Sequence, residues 1–338
     1  MRKSVLKKIL KSFIFSLLIL AIALICYFFV GKTPEAEQIT WGVDFSQKHA
    51  RDLGLDWKKV YLAYLEDLKV KNIKLSTAWD LLEKEKGEYS FSDLDWQIAQ
   101  AEKYGVKVVL VIGMRTPRWP ECHFPNWARD LPKQELQQSV LKLLESAVLR
   151  YQKSPSIWAW QVENEPLLVF GQCPKRDKDF LKKEVDLVKS LDHLKRPIIV
   201  SDSGEWSLWL KIADVGDILG TTLYRRVWMD ELNMYISYYL PSIYYHRKAE
   251  IIKKLFNKEV IVVELQAEPW GPKLLYDISL QEQQKSMTLA RFSDNMEFAR
   301  RTGLDTFYLW GGEWWYWLKE KQGDDSFWNK AKDILTSD

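Results

Sequence analysis

Eight short apolar runs, each followed by a segment of helical character, limit what this 338-residue chain can fold into. They occupy 39–44, 73–77, 107–113, 157–163, 197–201, 217–223, 259–264 and 305–310. In 57–70, Val60, Tyr61, Tyr64, Leu65 and Leu68 recur at the three- and four-residue spacing of one helix face. In 91–104, Ser92 reads as a cap, Leu94, Ile98 and Ala101 as the inward side, and Gly105 as the stop. Leu141, Leu144, Ala147 and Val148 form a further stripe, whereas 281–300 is more polar and fits an outer ring. The least regular stretch is 225–250, rich in Tyr, where Pro241 interrupts any single helix. Strands alternating with helices predict a parallel sheet, and eight of them predict a closed (β/α)8 TIM barrel over 39–338. Such a barrel takes roughly 250 residues as one domain, so the length does not call for a second.

The N-terminus stands outside that pattern. Arg2, Lys3, Lys7, Lys8 and Lys11 form a basic flank over 1–11, and no charge occurs over 12–30. A run of that length just crosses a ~30 Å hydrocarbon core at ~1.5 Å per residue. A cleaved signal peptide would end in a small-x-small site. Here Cys26-Tyr27-Phe28-Phe29-Val30 is bulky, so a retained transmembrane anchor is expected. Cys26 as a lipid-modified residue is the weaker option, because Ile25 precedes it. The basic flank predicts a cytoplasmic N-terminus and a single-pass protein of the cell membrane with its domain extracytoplasmic. Residues 31–38, polar and Pro-containing, read as a linker.

Charge excludes one partner class. The chain carries +3 overall, but residues 1–11 hold five positive side chains and no negative one, which leaves the rest at −2. The basic balance belongs to the membrane flank and gives no support to nucleic-acid binding. Cys122 and Cys173 are the two cysteines beyond the apolar segment, each in a Pro-containing loop. An external compartment permits a disulfide between them, with two free thiols as the alternative. No spacing suits a zinc site.

Two carboxylates carry the chemistry. Glu165 follows Ile157-Trp158-Ala159-Trp160-Gln161-Val162-Glu163-Asn164, and Glu264 closes Glu259-Val260-Ile261-Val262-Val263. A charge at the tip of a buried strand is costly without a partner or a task. In a barrel of this kind, chemistry sits at the C-terminal ends of the strands. Glu165, Glu264, Arg115, Tyr224 and Trp310 all meet that condition. Two carboxylates facing each other across the mouth are the apparatus of glycoside hydrolysis.

Asn164-Glu165-Pro166 on the fourth strand, with Glu264 on the seventh, resembles clan A glycoside hydrolases, the retaining barrel enzymes that include cellulase-like and mannanase-like families. The resemblance covers 39–338. Gly87-Glu88-Tyr89-Ser90-Phe91-Ser92-Asp93-Leu94-Asp95 looks like their connection after strand two, Thr116-Pro117-Arg118-Trp119-Pro120 like their loop after strand three, and Leu309-Trp310-Gly311 like their strand-eight tryptophan. It implies that Glu165 is the general acid/base and Glu264 the nucleophile. It also implies that Asn164 binds the 2-hydroxyl, Tyr224 touches the nucleophile and Trp310 platforms the sugar. The chain departs from the cellulase-type pattern in lacking its His near strands three and six and its Arg near strand two, where Trp79 stands. His123 is the one histidine with reach to the cleft, and Arg115 is a candidate for the missing polar role. The family within the clan stays open.

The expected activity is hydrolysis of a β-linked oligo- or polysaccharide by a monomer, with no cofactor. The 17 Trp divide between core and sugar stacking. Trp119, Trp270, Trp314 and Trp315 stand between those roles, and Glu313, just past strand eight, is a further candidate substrate contact. Glu163 rivals Glu165 as the acid, and Glu268 rivals Glu264 as the nucleophile. A non-catalytic carbohydrate-binding protein on a degenerate barrel and a transglycosylase are the alternative functions.

Overall fold

The structure is a computed structural model that describes residues 2–175 and 177–336, with side chains from residue 6 onward. The side chains of Arg2 and Lys3, part of the expected basic flank, lie outside the described residues, as do Ser337 and Asp338 at the end of the expected domain. The barrel strands are β1 (Thr40–Ser46), β2 (Asn72–Ser76), β3 (Lys107–Ile112), β4 (Ile157–Val162), β5 (Ile198–Asp202), β6 (Ile218–Leu223), β7 (Val260–Gln266) and β8 (Thr306–Trp310). Each pairs in parallel with the next, and β8 closes on β1. All eight coincide with the expected runs to within two residues at either end.

Two cores result from the strand period of two. Val109, Ala159, Ile199, Ile261, Val263 and Tyr308 fill the barrel interior. A larger layer, including Phe45, Tyr61, Tyr64, Val162 and Leu265, packs strands against helices. Gly42 in β1 has no side chain for a steric reason: a Cβ there would stand 2.6 Å from the ring of Tyr308.

The helices follow the stripes with small changes. Trp57–Glu66 and Ser92–Lys103 form as expected, but Ser92 is the first helical residue and makes no cap hydrogen bond. Gly105 sits past the end of the second helix at φ +66°, where a left-handed stop is needed. The Tyr-rich stretch holds an antiparallel hairpin, Arg226–Met229 with Met234–Ser237, and Pro241 directly precedes the helix Ser242–Phe256. The N-terminal helix Arg2–Phe29 contains a 24-residue segment, Leu6–Phe29, of mean hydropathy 2.6. That segment is long and apolar enough to be a membrane span or a signal sequence.

Candidate active site

The seventh strand delivers its carboxylate by breaking register. Val260 and Val262 pack outward against helices, and Ile261 and Val263 pack into the barrel. Strict alternation would send Glu264 outward. Instead the pairing with β6 goes from Thr221↔Val262 to Thr222↔Glu264 and skips Val263. This bulge resets the phase, so Leu265 turns outward and Glu264 inward. Glu264 therefore lies two residues inside β7 rather than at its tip.

Two neighbours hold it. The Tyr224 hydroxyl, one residue past β6, donates to Glu264 Oε2 at 2.9 Å. Lys74 Nζ donates to Glu264 Oε1 at 3.2 Å and to the Val263 carbonyl at 2.8 Å. The same ammonium lies 3.1 Å from Asp44, and all three charged groups are buried. Lys74 is thus a buried cation on strand two, beside Glu264. Its signal was present in the sequence: Val43-Asp44-Phe45 and Ile73-Lys74-Leu75 each place one charge on the inner face between two apolar neighbours. In the register, Asp44 pairs directly with Lys74.

Glu165 follows β4 in an unusual backbone. Glu163 and Glu165 have φ of +59° and +41°, a left-handed region that costs a non-glycine residue of order 1–3 kcal/mol. Side-chain and backbone ties hold that conformation. The Glu163 carboxylate accepts from the Met114 and Arg115 backbone N–H groups at 3.0 and 2.7 Å, and the Glu165 N–H donates to Ser201 Oγ at 2.9 Å. Gly113 makes room, since a Cβ there would stand 2.3 Å from Glu163 Oε1. Glu163 therefore anchors the loop that carries Glu165. Burial pushes the Glu165 carboxyl well above the usual range, and the charges of Glu264 and Glu121 add to it, against Arg115. The Thr222 hydroxyl stands 3.4 Å from Glu165 Oε1 and 3.4 Å from Glu205 Oε2, one donor between two carboxylates.

The other expected residues take varied places. Asn164 Nδ2 donates to Glu121 Oε2 at 3.3 Å, and Asn164 Oδ1 accepts from Gln161 and Ser201. Arg115 turns toward the Leu168 carbonyl at 3.0 Å and toward Glu121 at 3.8 Å, and so ties the loops after β3 and β4 together. Burial lifts Glu121 to about 8 against that guanidinium. Arg118 lies 3.8 Å from the centre of the Trp310 ring and covers one face of it. Arg118 also pairs with Glu268 and, at 3.3 Å, with Glu313. Glu313 has no exposed surface, accepts from the Ser46 N–H and pairs with Arg118. Burial raises the Glu268 carboxyl, but Arg118 and His49 outweigh it and hold the group near 2, in a structural ion pair. His123 packs against Lys48 at 3.1 Å; burial and that ammonium lower it to about 4.

Aromatic rings line the way out. Trp270 stands edge-on to Tyr224 with centroids 5.3 Å apart, Phe170 is 5.7 Å from Trp270, and the exposed Trp119 is 6.0 Å from Phe170. Trp314 and Trp315 are buried, donating to Gln283 and to the Ala267 carbonyl, and belong to the core. A Cys122–Cys173 disulfide joins the loops that carry Trp119 and Phe170. Lys74, Asp44, Arg118, Glu121, Thr222 and Glu205 were not among the residues singled out from the sequence.

No family model matches the chain, and no curated protein matches it in sequence. Solved structures match its fold. A glycoside hydrolase family 10 endo-β-1,4-xylanase from Gloeophyllum trabeum aligns with a TM-score of 0.53 at 13% identity, over 81% of this chain and 85% of its own. Xylanase 10B from Thermotoga maritima aligns with 0.54 at 15%, over 81% and 83%. A GH5_18 protein from Bifidobacterium longum subsp. infantis aligns with 0.56 at 12%, over 81% and 69%. At such identities the likeness is one of fold: this chain shares the eight-stranded barrel architecture of glycoside hydrolases from families 10 and 5.

Proposed function

We propose that the chain is a retaining glycoside hydrolase acting on β-linked oligo- or polysaccharide. The observation that carries this reading is the unequal pair: Glu165 is held toward its acid form beside Glu264, whose two oxygens take a tyrosine hydroxyl and a lysine ammonium. Two carboxyls in different environments divide acid and nucleophile roles. Glu165 protonates the glycosidic oxygen as the bond to the leaving sugar breaks. Glu264 attacks the anomeric carbon and forms the glycosyl-enzyme. Glu165, now a carboxylate, takes a proton from the incoming water, which displaces Glu264 with net retention. Tyr224 and Lys74 keep Glu264 aimed and compensate its charge. The family 10 neighbour named as an endo-β-1,4-xylanase favours a β-linked glycan.

We further propose that the N-terminal helix is a retained anchor with the barrel on the extracytoplasmic side, in line with its unburied 24-residue span and its basic flank. The test of the chemistry is turnover of aryl β-glycosides and β-glucan, xylan and mannan oligosaccharides, with product anomers followed by NMR. Glu165→Gln and Glu264→Gln should each lower kcat/KM at least about 100-fold, the low end of what a positioned acid contributes. Wild-type products should retain the anomeric configuration. Full activity in either variant removes that residue from its role, and inverted products remove the mechanism.

A further inference from the structure

Large apolar side chains stand in water on two neighbouring loops of the cleft rim. Trp206 is 63% exposed in the loop after β5, where Leu208 and Leu210 are also exposed. Tyr239, beyond the hairpin after β6, is 87% exposed. The two loops meet: Trp206 Nε1 donates to the Tyr238 hydroxyl at 2.9 Å, with ring centroids 5.9 Å apart. Soluble monomers rarely expose clustered aromatic and leucine side chains without a use for them.

The same surface runs on to the N-terminal helix. Lys248 Nζ donates to the Gly204 carbonyl at 2.7 Å and sits 3.7 Å over Trp209 and 4.9 Å over Tyr244, tying the β5 loop to the helix Ser242–Phe256. Tyr244 then packs against Phe28 and Phe29, at 5.9 and 5.7 Å between centroids. These are the last two residues of the apolar segment Leu6–Phe29, the rest of which is unburied. The uncharged run 12–30 spans about 28 Å as a helix, close to a ~30 Å hydrocarbon core. Its final turn therefore falls at the lipid–water boundary, and so does whatever touches that turn. Tryptophan and tyrosine favour that zone because one end of each ring system is apolar and the other polar.

We propose that the loops after β5 and β6 dock the barrel on the bilayer that the N-terminal helix enters, with Trp206, Leu208, Leu210 and Tyr239 in the interfacial layer. This rests on the reading of that helix as a retained anchor. Docking fixes the height and facing of the cleft above the membrane, because Tyr238 packs on the Tyr224–Trp310 cluster that walls it.

The full-length chain with Cys26→Ser, its disulfide intact, is spin-labelled in turn at Trp206→Cys, Tyr239→Cys, Leu17→Cys and Leu149→Cys. Leu149 is an exposed leucine on the helix Lys133–Tyr151 and serves as the water-facing control. Each protein is reconstituted into phosphatidylcholine–phosphatidylglycerol vesicles, checked against the unlabelled chain by circular dichroism, and read by power saturation with oxygen and a nickel chelate. Labels at 206 and 239 should show an oxygen-to-nickel accessibility ratio several-fold above that at 149 and approaching that at 17. If Leu17 reads as bilayer while 206 and 239 match 149, the patch faces water, as a glycan-binding surface would, and the docking is overturned. Exclusion of both reagents at 206 and 239 means a protein covers the patch, which also overturns it. A water-like Leu17 instead overturns the anchor, and the docking with it.

Discussion

At the scale of single residues, the end of β4 stores an unfavourable pair. Glu163 hydrogen-bonds Glu184 of the helix Lys178–Leu191, and both are buried. Burial raises both carboxyls, and in Glu184 the charge of Glu163 adds to it. A carboxyl that binds its proton more tightly folded than unfolded stabilises the fold fully below its unfolded value, and that stability is lost as pH rises through the folded value. Glu184→Gln keeps the hydrogen bond without the second charge. Its urea midpoint should fall less than that of the wild type between pH 5 and pH 9; parallel curves would show that the pair does not share a proton. A second titration tests the acid. Glu121 raises Glu165, so Glu121→Gln should move the alkaline limb of the kcat/KM profile to lower pH, and an unmoved or raised limb would contradict that coupling. Neither glutamate was legible beforehand. Glu184 sits on an ordinary amphipathic helix, and Glu121 lies in a loop with no periodic signal. Tyr224 could be singled out beforehand because it directly follows a strand run at the C-terminal end of the barrel.

Elements were easier to read than their irregularities. Most barrel-strand residues are buried on both faces, so the strands appear as largely apolar runs, broken in β1 by Asp44 and in β2 by Lys74. The bulge at Val263 leaves no such trace: Val262-Val263-Glu264 reads the same with or without the skipped residue, yet the skip turns Glu264 inward. The hairpin after β6 was hidden for a similar reason: its two strands are four residues each, too short to show a period of two. The disulfide was foreseeable from compartment and loop position. It closes a 51-residue separation, which by chain entropy corresponds to about 4 kcal/mol. Replacing both cysteines by serine should therefore lower the thermal midpoint by roughly 5–10 °C. Differential scanning calorimetry of the paired variants, with and without reductant, checks this. A midpoint unchanged in the double variant would mean that the packed loops hold without the bond.

Across the whole molecule, loops from four strands combine into one aromatic path. Tyr224 from the end of β6, Trp270 after β7, Phe170 after β4 and Trp119 after β3 follow one another outward from Glu264. Only Trp119, at 47%, is largely open to solvent, so it is the ring free to receive a flat sugar face. Two rings, Trp270 and Phe170, stand between it and Tyr224, at successive centroid steps of 5.3, 5.7 and 6.0 Å, so in the proposed mechanism it would serve a sugar beyond the one at Glu264. A ring at that distance contributes the same contact before and at the transition state, so it lowers KM without raising kcat. Trp119→Ala should leave kcat within about twofold and raise KM for oligosaccharides by about fivefold, the equivalent of roughly 1 kcal/mol of stacking. Aryl monoglycosides, too short to reach the ring, should show no change in either constant. Steady-state kinetics across a ladder of chain lengths separates the cases. An equal loss on short and long substrates would place Trp119 in the support of the loop, where it braces Phe170, and not in a distal sugar site.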